Sequence, residues 1–153
     1  MWVKLKYALP TYYIAFYMLP NYVFVKNYVS MIEYKIHMYA LGLELPCPRI
    51  YRYDPDKKTM HMQRLPGMSV ADMYGENSDD VPDCIFDTIR TILKTLYVNN
   101  VEYPDITGYN FMIHENKIYI LDFGHAVVHN SLPTNEFMLK FINGHNGWNP
   151  EFK

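Results

Sequence analysis

Three polar side chains lie on either side of a short apolar run, and their types suit metal and phosphate chemistry. Asp105 and Asn110 are five residues apart in VEYPDITGYNF, and Asp122 begins the triplet Asp-Phe-Gly in YILDFGHA. Carboxylate and amide oxygens are the ligands that Mg²⁺ prefers, so Asn110 and Asp122 can hold this metal with nucleotide phosphates. Asp105 can then act as the base for an acceptor hydroxyl. The plainer alternative is two polar strand ends that only make turns.

The elements around these residues are predicted from local patterns. FMI and IYIL flank the turn HENK, which predicts a β-hairpin between Asn110 and Asp122. A helix is expected before them, with Pro82 in its first turn and Asn99-Asn100 at its end. Its predicted apolar stripe is Ile85, Ile89, Ile92 and Leu96.

An earlier helix is predicted to begin at Ser30. Ser30 and Glu33 fit a capping box, and Gly42 followed by Pro46 fits a helix end. Its apolar residues at three- and four-residue steps are Ile32, Ile36, Tyr39 and Leu43, which predicts that they share the buried face.

The remaining segments complete an α+β pattern. RIYRY and TMHMQRL alternate around the turn DPDKK as a hairpin. A short helix is expected at 69–74 and an amphipathic piece at 135–142. Strands, a helix, a hairpin, a second helix and a second hairpin in this order indicate an α+β fold. At 153 residues, half of them hydrophobic, the chain is expected to form one domain, residues 1–153, around one core.

Composition argues against several partners. The formal net charge is -2 and the basic residues are scattered, so no nucleic-acid partner is indicated. Cys47 and Cys84 lack metal-ligand spacing and are expected to be reduced thiols of a cytosolic protein rather than a disulfide. The six histidines also lack ligand spacing, so a zinc site is not expected.

One uncharged segment is long enough to cross a bilayer. Nineteen residues separate Lys6 from Lys26, but Pro10 and Pro20 interrupt them and tyrosines lie through their middle. No small-residue cleavage site of the signal-peptide kind follows. We therefore expect two short buried strands with proline-marked turns rather than a membrane span.

D-x-x-x-x-N followed by Asp-Phe-Gly, with Asp122 twelve residues after Asn110, resembles the catalytic and magnesium loops of protein kinases. The resemblance covers about residues 23 to 126 and is to small atypical kinases, namely the RIO kinases and the kinase subunit of the KEOPS tRNA-modification complex. The chain also resembles shortened kinase-like proteins of large DNA viruses. This implies ATP and Mg²⁺ as ligands, a reduced amino-terminal lobe and hinge over 1–65, and a truncated carboxy-terminal lobe over 66–153.

The same resemblance assigns nucleotide-binding roles upstream. VFVK is similar to the third kinase strand, with Lys26 as the phosphate-gripping lysine, and the following helix is similar to the C-helix, with Glu33 as its partner. MHMQRLPGMSVADM is similar to the hinge, with Met62 as gatekeeper and the backbone of Gln63 and Leu65 facing adenine. Two alternatives remain: Lys26 as an exposed lysine at a strand end, and Glu33 as the capping-box residue.

The chain departs from the kinase pattern in several places. No glycine precedes Gly42, so no Gly-rich loop covers the phosphates. Tyr103 occupies the position of the catalytic-loop histidine, and Pro104 precedes Asp105 where an arginine would allow control by a phosphorylated loop. Only 29 residues follow Gly124, which is too short for the usual peptide-docking helices.

Three functions therefore compete. The first is a phosphotransferase or ATPase that uses Asp105, Asn110 and Asp122 with Mg²⁺ and ATP. The second is an inactive kinase mimic that binds a host kinase or another protein, and the third is a structural or assembly scaffold. The viral resemblance implies the cytoplasm of a host cell, while the oligomeric state, the phosphate acceptor and the partner stay open.

Overall fold

The computed structural model describes residues 22–152, in which four α-helices and eight short strands alternate. The helices are α1 (Met31–Gly42), α2 (Val70–Tyr74), α3 (Asp83–Val98) and α4 (Glu136–Ile142). The strands are β1 (Val23–Lys26), β2 (Ile50–Asp54), β3 (Thr59–Gln63), β4 (Met68–Ser69), β5 (Val101–Glu102), β6 (Phe111–His114), β7 (Lys117–Ile120) and β8 (Val127–Val128). This mixture of helices with small antiparallel sheets confirms the predicted α+β class.

The first sheet is antiparallel in the order β1-β3-β2. The predicted hairpin is its β2–β3 pair, and Lys26 at the end of β1 lies opposite Met60. Met60 and Met62 point from β3 into a small apolar cluster with Val29. Of the segment expected to hold two buried strands, the described part is β1, which is a strand as predicted but is not buried. Residues 7–21 lie outside the described range, and in β1 Phe24 is half exposed.

Helix α1 buries a different face from the one that periodicity predicts. Ser30 caps it, since its side chain accepts from the Glu33 amide. The buried residues are Glu33, Ile36, His37 and Ala40. Of the predicted face only Ile36 is buried, while Ile32 is 68% exposed. The capping box is also incomplete, because the Glu33 carboxylate bonds with Lys26 instead of returning to Ser30.

The main core forms around α3. This helix begins at Asp83, with Pro82 as its N-cap rather than within its first turn, and ends at Val98 with Asn99 as its C-cap, close to the predicted end. Full burial of a large apolar side chain contributes roughly 1.5–3 kcal/mol, so this cluster supplies much of the stability. Its largest buried members are Phe86, Ile89, Leu93, Leu96, Tyr103, Phe111, Phe123 and Phe141.

The hairpin β6–β7 brings the two candidate metal ligands to the same edge. Phe111 pairs with Ile120, and the Leu121 amide donates to the Asn110 carbonyl at 2.8 Å. Glu115 and Asn116 both have positive φ, as a tight two-residue hairpin turn requires. Asn110 and the residue before Asp122 are thus direct neighbours.

No helix among residues 22–152 combines the length and apolar character that crossing a bilayer would need. Cys47 and Cys84 are both free, as expected, the first buried and the second exposed.

Candidate functional site

Lys26, Glu33 and Asp122 form a connected ion-pair triad. Lys26 Nζ lies 2.5 Å from Glu33 Oε1 and 2.7 Å from Asp122 Oδ1. The three residues come from β1, from the first turn of α1 and from the loop after β7. Strand, helix and loop therefore meet at one lysine side chain, and Glu33 serves this contact rather than a capping box.

The triad shifts the pKa values of two of its members. Burial alone would lower the pKa of Lys26, but hydrogen bonds to Asp122 and Glu33 outweigh it and raise that pKa above its usual value. Burial alone would raise the pKa of Asp122, but hydrogen bonds from Lys26 and the Gly124 amide lower it. Both side chains therefore stay charged across the physiological pH range.

The backbone at Asp122 is in the left-handed region, with φ of 54°. Residues other than glycine seldom adopt this conformation, and the sites that do are often functional. The Asp122 carboxylate also accepts from the Gly124 amide at 2.9 Å. A Cβ at Gly124 would lie 3.0 Å from Asp122 Oδ1, which is tighter than ordinary contacts, so the glycine allows this carboxylate to approach.

Asn110 and Asp105 are joined through the backbone. Asn110 Nδ2 donates to the Asp105 carbonyl at 3.0 Å. This bond uses the amide nitrogen of Asn110, so its Oδ1 stays available as a ligand. The Asp105 carboxylate is 15% exposed and lies 3.2 Å from His125 Nδ1 and 3.5 Å from Thr107 Oγ1. Asp105 thus has an accessible carboxylate with one polar neighbour on each oxygen.

Tyr103 links the segment that holds Asp105 to the loop that holds Asp122. Its hydroxyl donates to the carbonyl of Leu121, the residue before Asp122. Its ring packs edge-on against Phe123 at 5.7 Å and is 1% exposed. Burial raises the pKa of Tyr103 well above its usual value, so the hydroxyl remains a donor. A tyrosine at this position fastens one loop to the other.

A cavity of about 540 Å³ begins at the triad and extends to the end of β3. Its polar end holds Lys26, Asn110 and Asp122, and its other end holds residues 63–65, at and after the end of β3. The other lining residues include Val23, Met62, Gln63, Arg64, Leu65, Met112 and Leu121. A largely apolar slot that ends in charged groups fits a flat ring attached to a charged chain.

The model of the RIO domain family matches residues 24–143. The chain belongs to the RIO domain family. No curated protein matches this RIO domain by sequence. Two similar solved structures are kinase-like, and at such low identity they show the fold alone.

The first of these structures is WaaP in complex with acyl carrier protein. It has a TM-score of 0.55 and 12% identity, with 80% of the RIO domain chain and 57% of WaaP covered. The second is the kinase PK-1 of Cydia pomonella granulovirus, with a TM-score of 0.54, 14% identity, and coverage of 74% and 46%. The chain thus spans about half the length of these proteins, and its kinase-like fold is established.

Kinase-like proteins generally use ATP with Mg²⁺, and the donors of this RIO domain suit that metal. Asn110 and Asp122 present hard oxygen atoms at one end of the cavity. Among residues 22–152, no group of three His, Cys, Asp or Glu side chains could hold a metal alone. A pair of protein oxygens suits Mg²⁺, which keeps several waters and phosphate oxygens as its other ligands.

The structure brings most of the predicted site residues together. Six of them line the cavity: Lys26, Met62, Gln63, Leu65, Asn110 and Asp122. Glu33 contacts Lys26 from behind, and Asp105 lies beyond the polar end, next to Asn110. The roles in binding and catalysis that the resemblance implies for these eight residues remain predictions.

Sequence reasoning missed His125, His37 and Asn149. His125 follows the Asp-Phe-Gly triplet directly, and that proximity was the available signal. His37 is 2% exposed, bonds to the Pro48 carbonyl at 2.8 Å and packs against Phe123. Asn149 is 1% exposed, in the tail that follows α4.

Proposed function

We propose that this RIO domain binds ATP with Mg²⁺ and transfers the γ-phosphoryl group to a hydroxyl or to water. One observation carries the proposal: Lys26, paired with Glu33, meets Asp122 at the polar end of a cavity whose other end is the hinge segment. Lys26 thus contacts both the buried Glu33 and Asp122, which lies 96 positions after it in the sequence. An exposed lysine at a strand end would not be expected to have two such partners.

The cavity suggests how the nucleotide lies. Adenine fits between the apolar side chains at the hinge end, with Met62 at its back and the Gln63 and Leu65 backbone at its edge. The phosphates then extend toward Lys26. Because Glu33 holds Lys26 independently of Asp122, the lysine can turn to a phosphate oxygen while keeping one carboxylate partner.

The metal would be held by Asn110 and Asp122. Bound there, Mg²⁺ would neutralise charge on the phosphate oxygens. Asp105 receives the proton of the acceptor hydroxyl as the new O–P bond forms and the bond to the β-phosphate oxygen breaks, which releases ADP. His125 and Thr107 steady the carboxylate of Asp105 at the acceptor side.

Turnover is expected to be slow. With no glycine before Gly42, the chain lacks the Gly-rich loop that would cover the phosphates and exclude water. Water therefore competes with any other acceptor, and we expect phosphate release to accompany transfer.

Thermal denaturation with and without Mg²⁺-ATP tests the proposal. A ligand at a hundred times its dissociation constant stabilises the native state by about 2.7 kcal/mol, a rise in Tm of roughly 5–10 °C for a chain of this size. We expect this rise for the wild type and for Asp79→Ala, which removes an exposed carboxylate away from the cavity, but not for Asp122→Ala. An unchanged wild-type Tm at millimolar ATP would overturn nucleotide binding. Phosphate release that survives Asp105→Asn would remove the role of Asp105.

An inactive, partner-binding protein is the second candidate, and a specific surface favours it. From β1 to the start of α1, six large apolar side chains are exposed by 42–92%: Tyr22, Phe24, Val25, Tyr28, Met31 and Ile32. Apolar groups in such a run commonly mark a protein-binding surface. The WaaP structure includes a protein partner, which makes a protein partner for this chain a reasonable proposal.

Two variants separate the candidates. If the chain acts by binding a host kinase or another cytoplasmic protein, Phe24→Ser with Ile32→Ser should abolish that complex while Asp122→Ala leaves it intact. The reverse result would favour the nucleotide site. A purely scaffolding role predicts that neither change matters and that the chain sediments in a large assembly.

A further inference from the structure

Asn149 holds the backbone on both sides of Asp105. Its Nδ2 donates to the Pro104 carbonyl at 2.7 Å, and its own amide donates to the Ile106 carbonyl at 2.8 Å. Asn149 is 1% exposed, so water does not replace these bonds when they are lost. A residue from the tail thereby brackets the candidate catalytic carboxylate.

The bracketed segment lacks the regular backbone hydrogen bonds of a helix or a strand. Residues 103–107 belong to neither a strand nor a helix. The Asp105 carbonyl accepts from Asn110 Nδ2, so two asparagines together hold three successive carbonyls, at Pro104, Asp105 and Ile106. In an irregular segment, such side-chain bonds replace the ladder that would fix a strand. The direction in which the Asp105 side chain leaves the backbone therefore depends on Asn149.

The same tail segment also reaches the side-chain partner of Asp105. Asn149 orders the turn Pro150–Phe152, because its Oδ1 accepts from the Glu151 amide and its carbonyl accepts from the Phe152 amide. The Phe152 ring packs edge-on against His125 at 4.9 Å, and His125 is the residue beside the Asp105 carboxylate. Backbone and side-chain contacts thus converge on one carboxylate.

We propose that Asn149 is a positioning residue that sets the place of Asp105 for proton transfer. The inference rests on the proposed function, in which Asp105 receives the acceptor proton. Asn149 lies outside the residues that line the nucleotide cavity, so its loss should affect the chemical step rather than ATP binding. A displacement of about 1 Å at a reacting group can reduce a rate by about a hundredfold.

The first test is steady-state kinetics of Asn149→Asp. Aspartate keeps the shape but cannot donate to the Pro104 carbonyl. We expect kcat to fall about tenfold or more with KM for ATP within about twofold of wild type. Asn99→Asp is the matched control, because Asn99 Nδ2 also donates to a backbone carbonyl, that of Thr95 at 2.8 Å, away from Asp105. An equal fall in both variants, or a change confined to KM, would overturn the inference.

The second test does not need turnover. The Ile106 amide bonds to the Pro104 carbonyl and the Thr107 amide to the Asp105 carbonyl, so their hydrogen exchange reports the order of this segment. In Asn149→Asp we expect both amides to exchange faster than the loss of global stability explains, with no such excess in Asn99→Asp. Exchange that rises only in step with the amides of α3 would show a merely structural role.

These two readouts keep the hypotheses apart. If the wild type transfers no phosphate and ATP does not change its Tm, the proposed function fails. The hydrogen-exchange data would still decide whether Asn149 orders the segment around Asp105. If Asn149→Asp does not fold, Phe152→Leu removes the ring beside His125 and leaves Asn149 in place. It should lower kcat at unchanged KM for ATP, and an unaltered kcat would contradict the convergence on Asp105.

Discussion

Lys26 Nζ lies 2.7 Å from Asp122 Oδ1, and this ion pair joins two residues 96 positions apart. The pair closes the polar end of the cavity and ties the first sheet to the loop after β7. The site is therefore complete only when the first sheet and this loop are in contact.

Lys26→Met should weaken ATP binding by about tenfold or more, because a methionine cannot bond to a phosphate oxygen. It should also lower the free energy of unfolding by about 2 kcal/mol, since the Glu33 carboxylate, only 6% exposed, loses its cationic partner. Urea unfolding and ATP titration measure the two effects. Lys35→Met removes an exposed charge from α1, the helix that carries Glu33, and should change neither ATP binding nor stability. Equal effects in the two variants would contradict the assigned role of Lys26.

His37 should make stability depend on pH between about 4 and 6.5. Burial lowers the pKa of His37 to about 4, against an ordinary value of 6.5. Below pH 6.5 the unfolded chain binds a proton that the folded chain does not, so the free energy of unfolding falls as the pH decreases. The two pKa values correspond to a loss of about 3 kcal/mol by pH 4.

Urea unfolding of His37→Gln should show this loss disappear. Glutamine places an N–H near the position of Nε2 and can still donate to the Pro48 carbonyl. The exposed His145 provides the control, since His145→Gln should leave the pH dependence as it is. A wild-type stability that does not change between pH 7 and pH 4.5 would rule out the buried, neutral state of His37.

Gly124→Ala should disturb Asp122 directly. Its Cβ would lie 3.0 Å from Asp122 Oδ1, which is closer than ordinary contacts allow. We expect the Mg²⁺-dependent part of the ATP affinity to fall by about tenfold, as it does when a metal ligand is displaced. The free energy of unfolding should change only slightly. Gly42→Ala is the control, because a Cβ there meets nothing within 4 Å. Isothermal titration with and without Mg²⁺ distinguishes the two variants.

Tyr103→Phe should loosen the connection between the two loops. The ring packing against Phe123 is retained, but the Leu121 carbonyl loses its hydroxyl donor. A lost buried hydrogen bond costs about 1–2 kcal/mol, which denaturant unfolding can measure. Tyr97→Phe removes a hydroxyl from α3 and should cost less than half as much. A similar cost in both would mean that the Tyr103 hydroxyl does not fasten the loops.

Local patterns predicted the parts of the fold that local physics determines. The hairpin between Asn110 and Asp122 follows from alternation and a tight turn, and α3 follows from a clear apolar stripe. Helix α1 was harder, because apolar residues lie on all its sides and periodicity does not select one face. In the structure Glu33 points inward to Lys26 and His37 points inward to the Pro48 carbonyl, while Ile32 faces outward.

In the candidate site too, residues in local motifs were predicted, and residues brought in only by tertiary contacts were not. Asp105, Asn110 and Asp122 were found from a motif within 18 residues of sequence, and the resemblance to kinases placed Lys26 and Glu33. Neither could reveal Asn149, whose bonds to Pro104 and Ile106 depend on how the tail crosses the loop. A lone asparagine in a polar tail has no periodicity or spacing that would distinguish it.

The tight hairpin β6–β7 has a consequence for the order in which the chain folds. A short hairpin closes early, because the entropy lost on closing a loop grows with the number of residues enclosed. Asn110 and Asp122 therefore come together soon after this hairpin forms, while Lys26 joins them only when the first sheet docks. We therefore expect partly folded chains to bring the two oxygen ligands together before Lys26 reaches them.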